Sequence, residues 1–286
     1  MSLDTTLTFL KWQKLYEIEK PFQIFINIPD DAKDRRSTNL EWETHPVTVN
    51  DARGHEEEFT LDDHGFIFRK HAFQTDSFVD RDFVEKNYFP EVEQFLRKEV
   101  DGVDRVFFFD WRLRRVENKR SQDIIDLNDP TDYLNPAKHV HVDQSTIAVI
   151  NRVLLQLPEE AERLLRGRIR VLNIWRPLKH KIQDWPLALC DGSTVDPSDL
   201  IESDHIRRHY QGSTLYLLPR PVQKWYYLSG QTPNEVTIFK NFDSEQAIKA
   251  KYAPHAACEQ IPVAKGVSLR ESVEVRALVF TYKKDA

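Results

Sequence analysis

Five short runs of strand-forming residues follow one another in the second half of the chain, at 169–175, 213–218, 224–228, 235–239 and 273–282. With the helical patterns gathered before and among them, they predict a mainly β fold, a double-stranded β-helix or jelly roll with flanking helices. An aromatic-rich run at 103–114 reads as a further buried strand. At 83–100, Val84, Tyr88, Val92, Phe95 and Leu96 recur at helical spacing, which predicts a helix covering one face of a sheet and interrupted or kinked at Pro90. A second helical region spans 145–167, with apolar positions that include Ile147, Val149, Ile150, Val153, Leu154 and Leu157. A helix start stands at Pro158-Glu159-Glu160, and Gly167 marks the stop. Residues 1–60 mix strand-like pieces at 22–28 and 47–49 with Pro and Asp turns, and read as an N-terminal extension packed on the core. With only eight glycines, no repeat and no flexible linker, 1–286 is expected to form one domain.

Charge narrows the partners. The chain carries 40 Lys and Arg against 46 Asp and Glu, a formal net charge of -6 without an acidic tail, which leaves no basic footprint for nucleic acid and favours a small-molecule partner. No window of roughly 18 uncharged apolar residues exists, so no membrane helix is expected. Charges interrupt every apolar run of the first twenty residues, unlike a secretory leader. Cys190 and Cys258 are too few for a disulfide framework or a Cys-based zinc site. These features together predict a soluble, cytoplasmic protein; its oligomeric state is not legible.

The chemistry-bearing stretch is Lys138-His139-Val140-His141-Val142-Asp143. It alternates polar and apolar residues with a period of two, so on a strand His139, His141 and Asp143 project from one face. Two ligands from a His-x-Asp pair and a third from a distant His make the facial triad that holds Fe(II) with three adjacent positions open. His255, between small residues in Ala253-Pro254-His255-Ala256-Ala257, is the candidate third ligand. A lone His-x-Asp is common in soluble proteins and is weak by itself. Arg270 and Ser272 open the last strand and point the same way, which suits fork-like binding of the distal carboxylate of 2-oxoglutarate. Arg276 and Glu274 share that face; Arg276 is the second choice for the co-substrate, against the plainer reading of an ion pair with Glu274 at a sheet edge.

Three series of motifs carry a resemblance. The first is His141-Val142-Asp143-Gln144-Ser145, Arg168, Asn173-Ile174-Trp175-Arg176-Pro177-Leu178 and Pro186-Leu187-Ala188-Leu189-Cys190-Asp191. The second is Trp225-Tyr226-Tyr227, Glu235 and Phe239-Lys240-Asn241-Phe242-Asp243-Ser244. The third is Ala253-Pro254-His255-Ala256-Ala257 and Arg270-Glu271-Ser272-Val273-Glu274-Val275-Arg276. In this order, from about Gly65 to Tyr282, they resemble the fungal AsaB-type hydroxylase/desaturases, also called 7-alpha-cephem methoxylase-like. The resemblance implies a jelly-roll Fe(II)/2-oxoglutarate-dependent oxygenase of secondary metabolism, which uses O2 to hydroxylate, desaturate or cyclise amino-acid-like or natural-product substrates. Cys258 and Gln223 depart from the family pattern, so the substrate does not carry over.

For the substrate pocket, Asn173 and Trp175 share one strand face, with Arg176 opposite in structural ion pairs; core packing is the plainer reading of Trp175. Tyr227 and Lys240 are further candidates to bind a carboxylate, and Arg115 and Arg168 are ambiguous. His205 and His209, four apart, would face together on a helix, but they lack the Glu of a zinc protease motif and read as a solvated helical face. His45, His55, His64, His71 and His180 read as structural. The rival readings are a cupin-type metal enzyme without 2-oxoglutarate, against which the missing cupin-spaced Glu counts, and a catalytically inactive jelly-roll binding protein.

Overall fold

The structure, a computed structural model, describes residues 2–116, 129–207, 210–260 and 266–283. In chain order these residues form strands β1 (Leu3–Leu10), β2 (Phe22–Ile24), β3 (Trp42–Asp51) and β4 (Phe66–Lys70), helix α1 (Arg81–Glu99), and strands β5 (Arg105–Arg115) and β6 (His141–Val142). Helices α2 (Thr146–Gln156) and α3 (Ala161–Leu165) follow, then β7 (Arg168–Pro177), β8 (Leu187–Cys190), β9 (Leu200–Arg207) and β10 (Tyr210–Leu217). The chain closes with β11 (Trp225–Tyr227), β12 (Glu235–Asp243), β13 (His255–Ala257) and β14 (Glu271–Thr281).

The strands pair into a nine-stranded sheet, β1-β3-β11-β8-β13-β6-β10-β9-β2, and a five-stranded sheet, β4-β12-β7-β14-β5. Together they make the jelly roll that the run of short strands predicts. Alternation along each strand sorts the core. Phe66, Phe68, Trp175 and Phe239 of the smaller sheet meet Leu187 and Leu189 of the larger one, while their neighbours Ile67, Ile174 and Ile238 turn outward to α1.

α1 buries Val84, Tyr88, Val92, Phe95 and Leu96 and runs unbroken through Pro90, where an interruption or kink is expected from sequence. A proline inside a helix costs about 3 kcal/mol, whereas each large apolar side chain buried contributes about 1.5–3 kcal/mol. The apolar stripe wins, aided by Asp80, whose carboxylate accepts from the Phe83 N–H. The second helical region divides into α2 and α3 at Leu157, since the residue before Pro158 is pushed out of the helical region. Ser145 caps α2 through the Ala148 N–H. α2 buries Ala148, Val149 and Val153 and leaves Ile147 and Leu154 exposed.

Residues 1–60, expected as an extension on the core, supply three strands of the larger sheet itself. β1 pairs with β3 from Leu3 against Val49 to Leu10 against Trp42, and β3 runs on into a parallel ladder with β11. Leu3, Leu7, Phe9 and Val49, spaced by even numbers, pack with Trp225 and Ala256. Among the described residues no helix is long and apolar enough to cross a membrane, and Cys190 and Cys258 are buried free thiols.

Candidate metal centre and its cavities

β6 has only two residues, but it lies between β13 and β10 in the larger sheet, so His141 stands opposite Tyr216 on one side and His255 on the other. Residues directly opposed across a ladder share a face at contact distance, and strand pairing thereby brings together two imidazoles far apart in sequence. Their ring centroids are 4.4 Å apart. Asp143, two residues beyond His141, joins them, and one donor atom from each of His141, Asp143 and His255 lies within 4.8 Å of the other two. His139, on the same face by parity, is not part of this group; its ring stacks on Trp42 at 3.9 Å.

The donor chemistry fits a metal. Nδ1 of His141 is 2.8 Å from the His139 carbonyl, and Nδ1 of His255 is 3.1 Å from the Ala253 carbonyl. A carbonyl can only accept, so each Nδ1 carries the proton and each Nε2 offers its lone pair to the shared space. Burial, then the neighbouring His141, pushes His255 down to about 3, which keeps its imidazole neutral.

Asp143 is held by its surroundings. Its carboxylate accepts from Nδ2 of Asn173 at 2.6 Å and from Nη2 of Arg276 at 3.1 Å, while its N–H donates to Oδ1 of Asn241 at 2.7 Å. Burial alone would raise this carboxyl, but Arg276 and the adjacent histidines hold it well below the usual carboxylate range. Arg276 also reaches Asp110 at 2.9 Å and Glu274 at 2.7 Å. The ion pair with Glu274 is therefore present, and it lies on β14, an inner strand, rather than at a sheet edge. Three carboxylates occupy Arg276, which leaves it badly placed as the co-substrate anchor.

Arg270 is differently disposed. Its guanidinium, 3% exposed, donates to Oγ of Ser272 at 3.3 Å and to the Trp185 carbonyl at 2.8 Å, and lies 5.0 Å above the Trp175 ring. Burial, then the nearby Arg114, lowers it to about 10. It lines a recess of about 10 Å³ together with Arg114, His141, His255 and Glu274. Beside the recess, and sharing Arg114, Ala137 and His141 with it, opens a cavity of about 920 Å³.

Other expected site residues lie elsewhere. Trp175 is core beneath Arg270. Tyr227 packs in the apolar cluster with Val49 and Trp225. Lys240 is not a pocket residue, since its ammonium is fully buried against Asp243 at 2.6 Å and Asp62 at 3.0 Å, beside Arg168, which pairs with the same two carboxylates. Arg176 forms no ion pair among the described residues; it bonds Tyr88 Oη and the Thr75 carbonyl under Phe73 and Phe78. Arg115 lies over the Tyr133 ring. His205 stands on a strand, not a helix, because β9 pairs with β10 along its length; it lines the large cavity and bonds Tyr216 Oη at 3.1 Å. His209 lies outside the described residues. Asn241 and Arg114 are the residues to which sequence reasoning gives no role; each stands among other polar residues of its strand, so no local signal singles it out.

Comparison with known proteins agrees with this geometry. The model of the oxidoreductase/YMDC permease-like domain family matches residues 7–280. The Fe(II)/2-oxoglutarate-dependent dioxygenase nvfI of Aspergillus novofumigatus is 35% identical over 250 residues, 85% of each chain. Hydroxylase/desaturase CTB9 of Cercospora beticola is 33% identical, over 86% of this chain and 79% of its own. The solved structure of the iron and alpha-ketoglutarate-dependent endoperoxidase NvfI superposes with a TM-score of 0.83 at 31% identity, over 99% of both chains. The chain therefore belongs to the fungal Fe(II)/2-oxoglutarate-dependent dioxygenases and hydroxylase/desaturases, and is an oxidoreductase that uses ferrous iron with 2-oxoglutarate as co-substrate.

Proposed function

We propose that His141, Asp143 and His255 hold the iron, that Arg270 with Ser272 takes the distal carboxylate of 2-oxoglutarate, and that the large cavity receives a small natural-product or amino-acid-like substrate of fungal secondary metabolism. The reaction is oxidation of an unactivated C–H bond, with hydroxylation, desaturation or ring closure as its outcome, in a soluble cytoplasmic enzyme. The observation that carries this reading is the meeting of two Nε2 lone pairs and one carboxylate within 4.8 Å, with both histidines on the wall of a recess that also holds a buried guanidinium.

Iron, when bound with the co-substrate and O2, supplies an oxidising power that no side chain has. The protein's own part is placement. The Ala253 and His139 carbonyls fix which ring nitrogen of each His faces inward. Asn173 and Arg276 hold the Asp143 carboxylate, and Asn241 holds its backbone. Arg270 is pinned by the Trp185 carbonyl and Ser272, so its remaining donors keep one direction. A recess of about 10 Å³ holds roughly one water, so the five-carbon diacid reaches Arg270 from the large cavity and widens the recess as it binds.

The test is to load the protein with ferrous iron under nitrogen, add 2-oxoglutarate and a panel of amino acids and natural-product acids, admit oxygen, and follow succinate and substrate mass. A co-substrate-dependent gain of about one oxygen mass marks hydroxylation, and loss of about two hydrogens marks desaturation or ring closure. Iron binding without any succinate would overturn the reading.

A further inference from the structure

Among the described residues, guanidinium groups outnumber carboxylates on the lining of the large cavity, in a protein that is acidic overall. Five guanidinium side chains line it, from Arg112, Arg114, Arg152, Arg207 and Arg276, against two carboxylates among the described residues, from Asp110 and Asp143. Arg276 engages both of these carboxylates, and Arg112 pairs with Asp110. The ferrous dication and the 2-oxoglutarate dianion cancel one another, so loading the enzyme does not alter the charge balance of this lining. Guanidinium groups do not discharge at any working pH, so these cations persist throughout.

Arg114 stands out among them. It is half-buried, at the junction where the cavity meets the recess, and lines both. Its Nη1 donates to the Asn135 carbonyl at 2.8 Å. Among the described residues no carboxylate is within ion-pair distance of it, and nearby Glu274 is bonded to Arg276. A half-buried charge without a counter-ion is partly desolvated at some cost, and an incoming anion relieves that cost. The same cavity presents Phe25, Ile26, Phe109 and Leu134, which offers an apolar wall for the remainder of the molecule.

We infer that the substrate is an organic acid with an apolar body, whose carboxylate pairs with Arg114 at the mouth of the co-substrate recess while its hydrocarbon part lies along the Phe25 and Phe109 wall. This rests on the reading that Arg270, and not Arg114, takes the co-substrate. Arg114 is then the specificity-determining residue, holding one end of the substrate at a fixed place beside the metal ligands.

The experiment uses the full chain loaded with zinc as a redox-silent ion and saturated with 2-oxoglutarate. Calorimetric titration compares aryl-alkyl carboxylates, such as 4-phenylbutyrate, with their primary amides, in the parent and in Arg114→Gln and Arg114→Lys. The acids are expected to bind about tenfold or more tighter than the amides, with a preference that shrinks as salt is raised. Arg114→Gln brings the acid-to-amide ratio close to one, Arg114→Lys keeps part of it, and 2-oxoglutarate affinity stays within about threefold in both. Equal binding of acid and amide by the parent, no binding of either, or a ratio that survives Arg114→Gln would overturn the inference. So would a tenfold loss of 2-oxoglutarate affinity in Arg114→Gln, which would give Arg114 to the co-substrate. Should Arg114→Gln fail to fold, Arg114→Lys and the parent's own acid-to-amide ratio still decide. Weak 2-oxoglutarate binding by the parent with acid selectivity intact would instead fail the reading of the recess alone.

Discussion

Replacing Arg270 by Met should separate binding from stability. The guanidinium has five N–H donors; one goes to Ser272 and one to the Trp185 carbonyl, which leaves three to meet a carboxylate. Two charge-assisted bonds at about 1.5–3 kcal/mol each are lost in Arg270→Met, so the dissociation constant for 2-oxoglutarate should rise by about 100-fold or more. The stability change has the opposite origin. Burial, then the nearby Arg114, lowers this guanidinium to about 10, roughly 3 kcal/mol of unfavourable free energy that persists at neutral pH, below both its folded and unfolded values. Removing the charge recovers that amount and forfeits the two internal bonds at about 1 kcal/mol each, plus about 1 kcal/mol from the Trp175 ring. The two nearly cancel, so the melting temperature should stay within about 4 °C of the parent. Calorimetric titration of the zinc-loaded protein with 2-oxoglutarate, beside a thermal melt without it, checks both halves. An affinity within about threefold of the parent would refute the assignment of Arg270, and a variant that fails to fold would refute the reckoning of its burial.

His255→Ala should weaken iron binding by more than about 100-fold, measured by iron content after desalting, with succinate formation lost in parallel. Full iron occupancy in that variant would remove His255 from the centre. Lys240→Met should cost about 3 kcal/mol of stability, the low end for breaking a buried pair because Arg168 keeps its bond to Asp243. Its 2-oxoglutarate affinity should not change, and a selective loss of binding in a stable Lys240 variant would return that residue to the site.

What the sequence shows of this site, and what it hides, follows from the range of each interaction. The period of two in His141-Val142-Asp143 is local, and it places two donors on one face whatever the rest of the chain does. That His255 completes the group depends on β13 lying beside β6, a pairing no local pattern encodes. β9 shows the converse. The four-residue spacing of His205 and His209 suits a helix, but β9 pairs with β10 from Leu200 to Arg207, and that pairing overrides so weak a signal at His205.

Lys240 shows how a single residue of slippage redirects chemistry. On a regular strand, Lys240 and Asp243 are three apart and point to opposite faces. The ladder between β12 and β7 shifts register between Lys240 and Phe242, and a bulge of one residue restores the pair to one side, where the ammonium meets Asp243 at 2.6 Å. A bulge leaves no mark in composition or periodicity, so parity read along the sequence fails beyond it. The ladder between β14 and β5 shifts too, between Arg276 and Ala277, but there the extra residue, Phe109, is on β5, and β14 keeps a regular register against β7. The alternation of β14 is therefore unbroken, which is why the common face of Ser272, Glu274 and Arg276 could be read from the sequence, while the division of labour among them required knowing which carboxylates stand opposite.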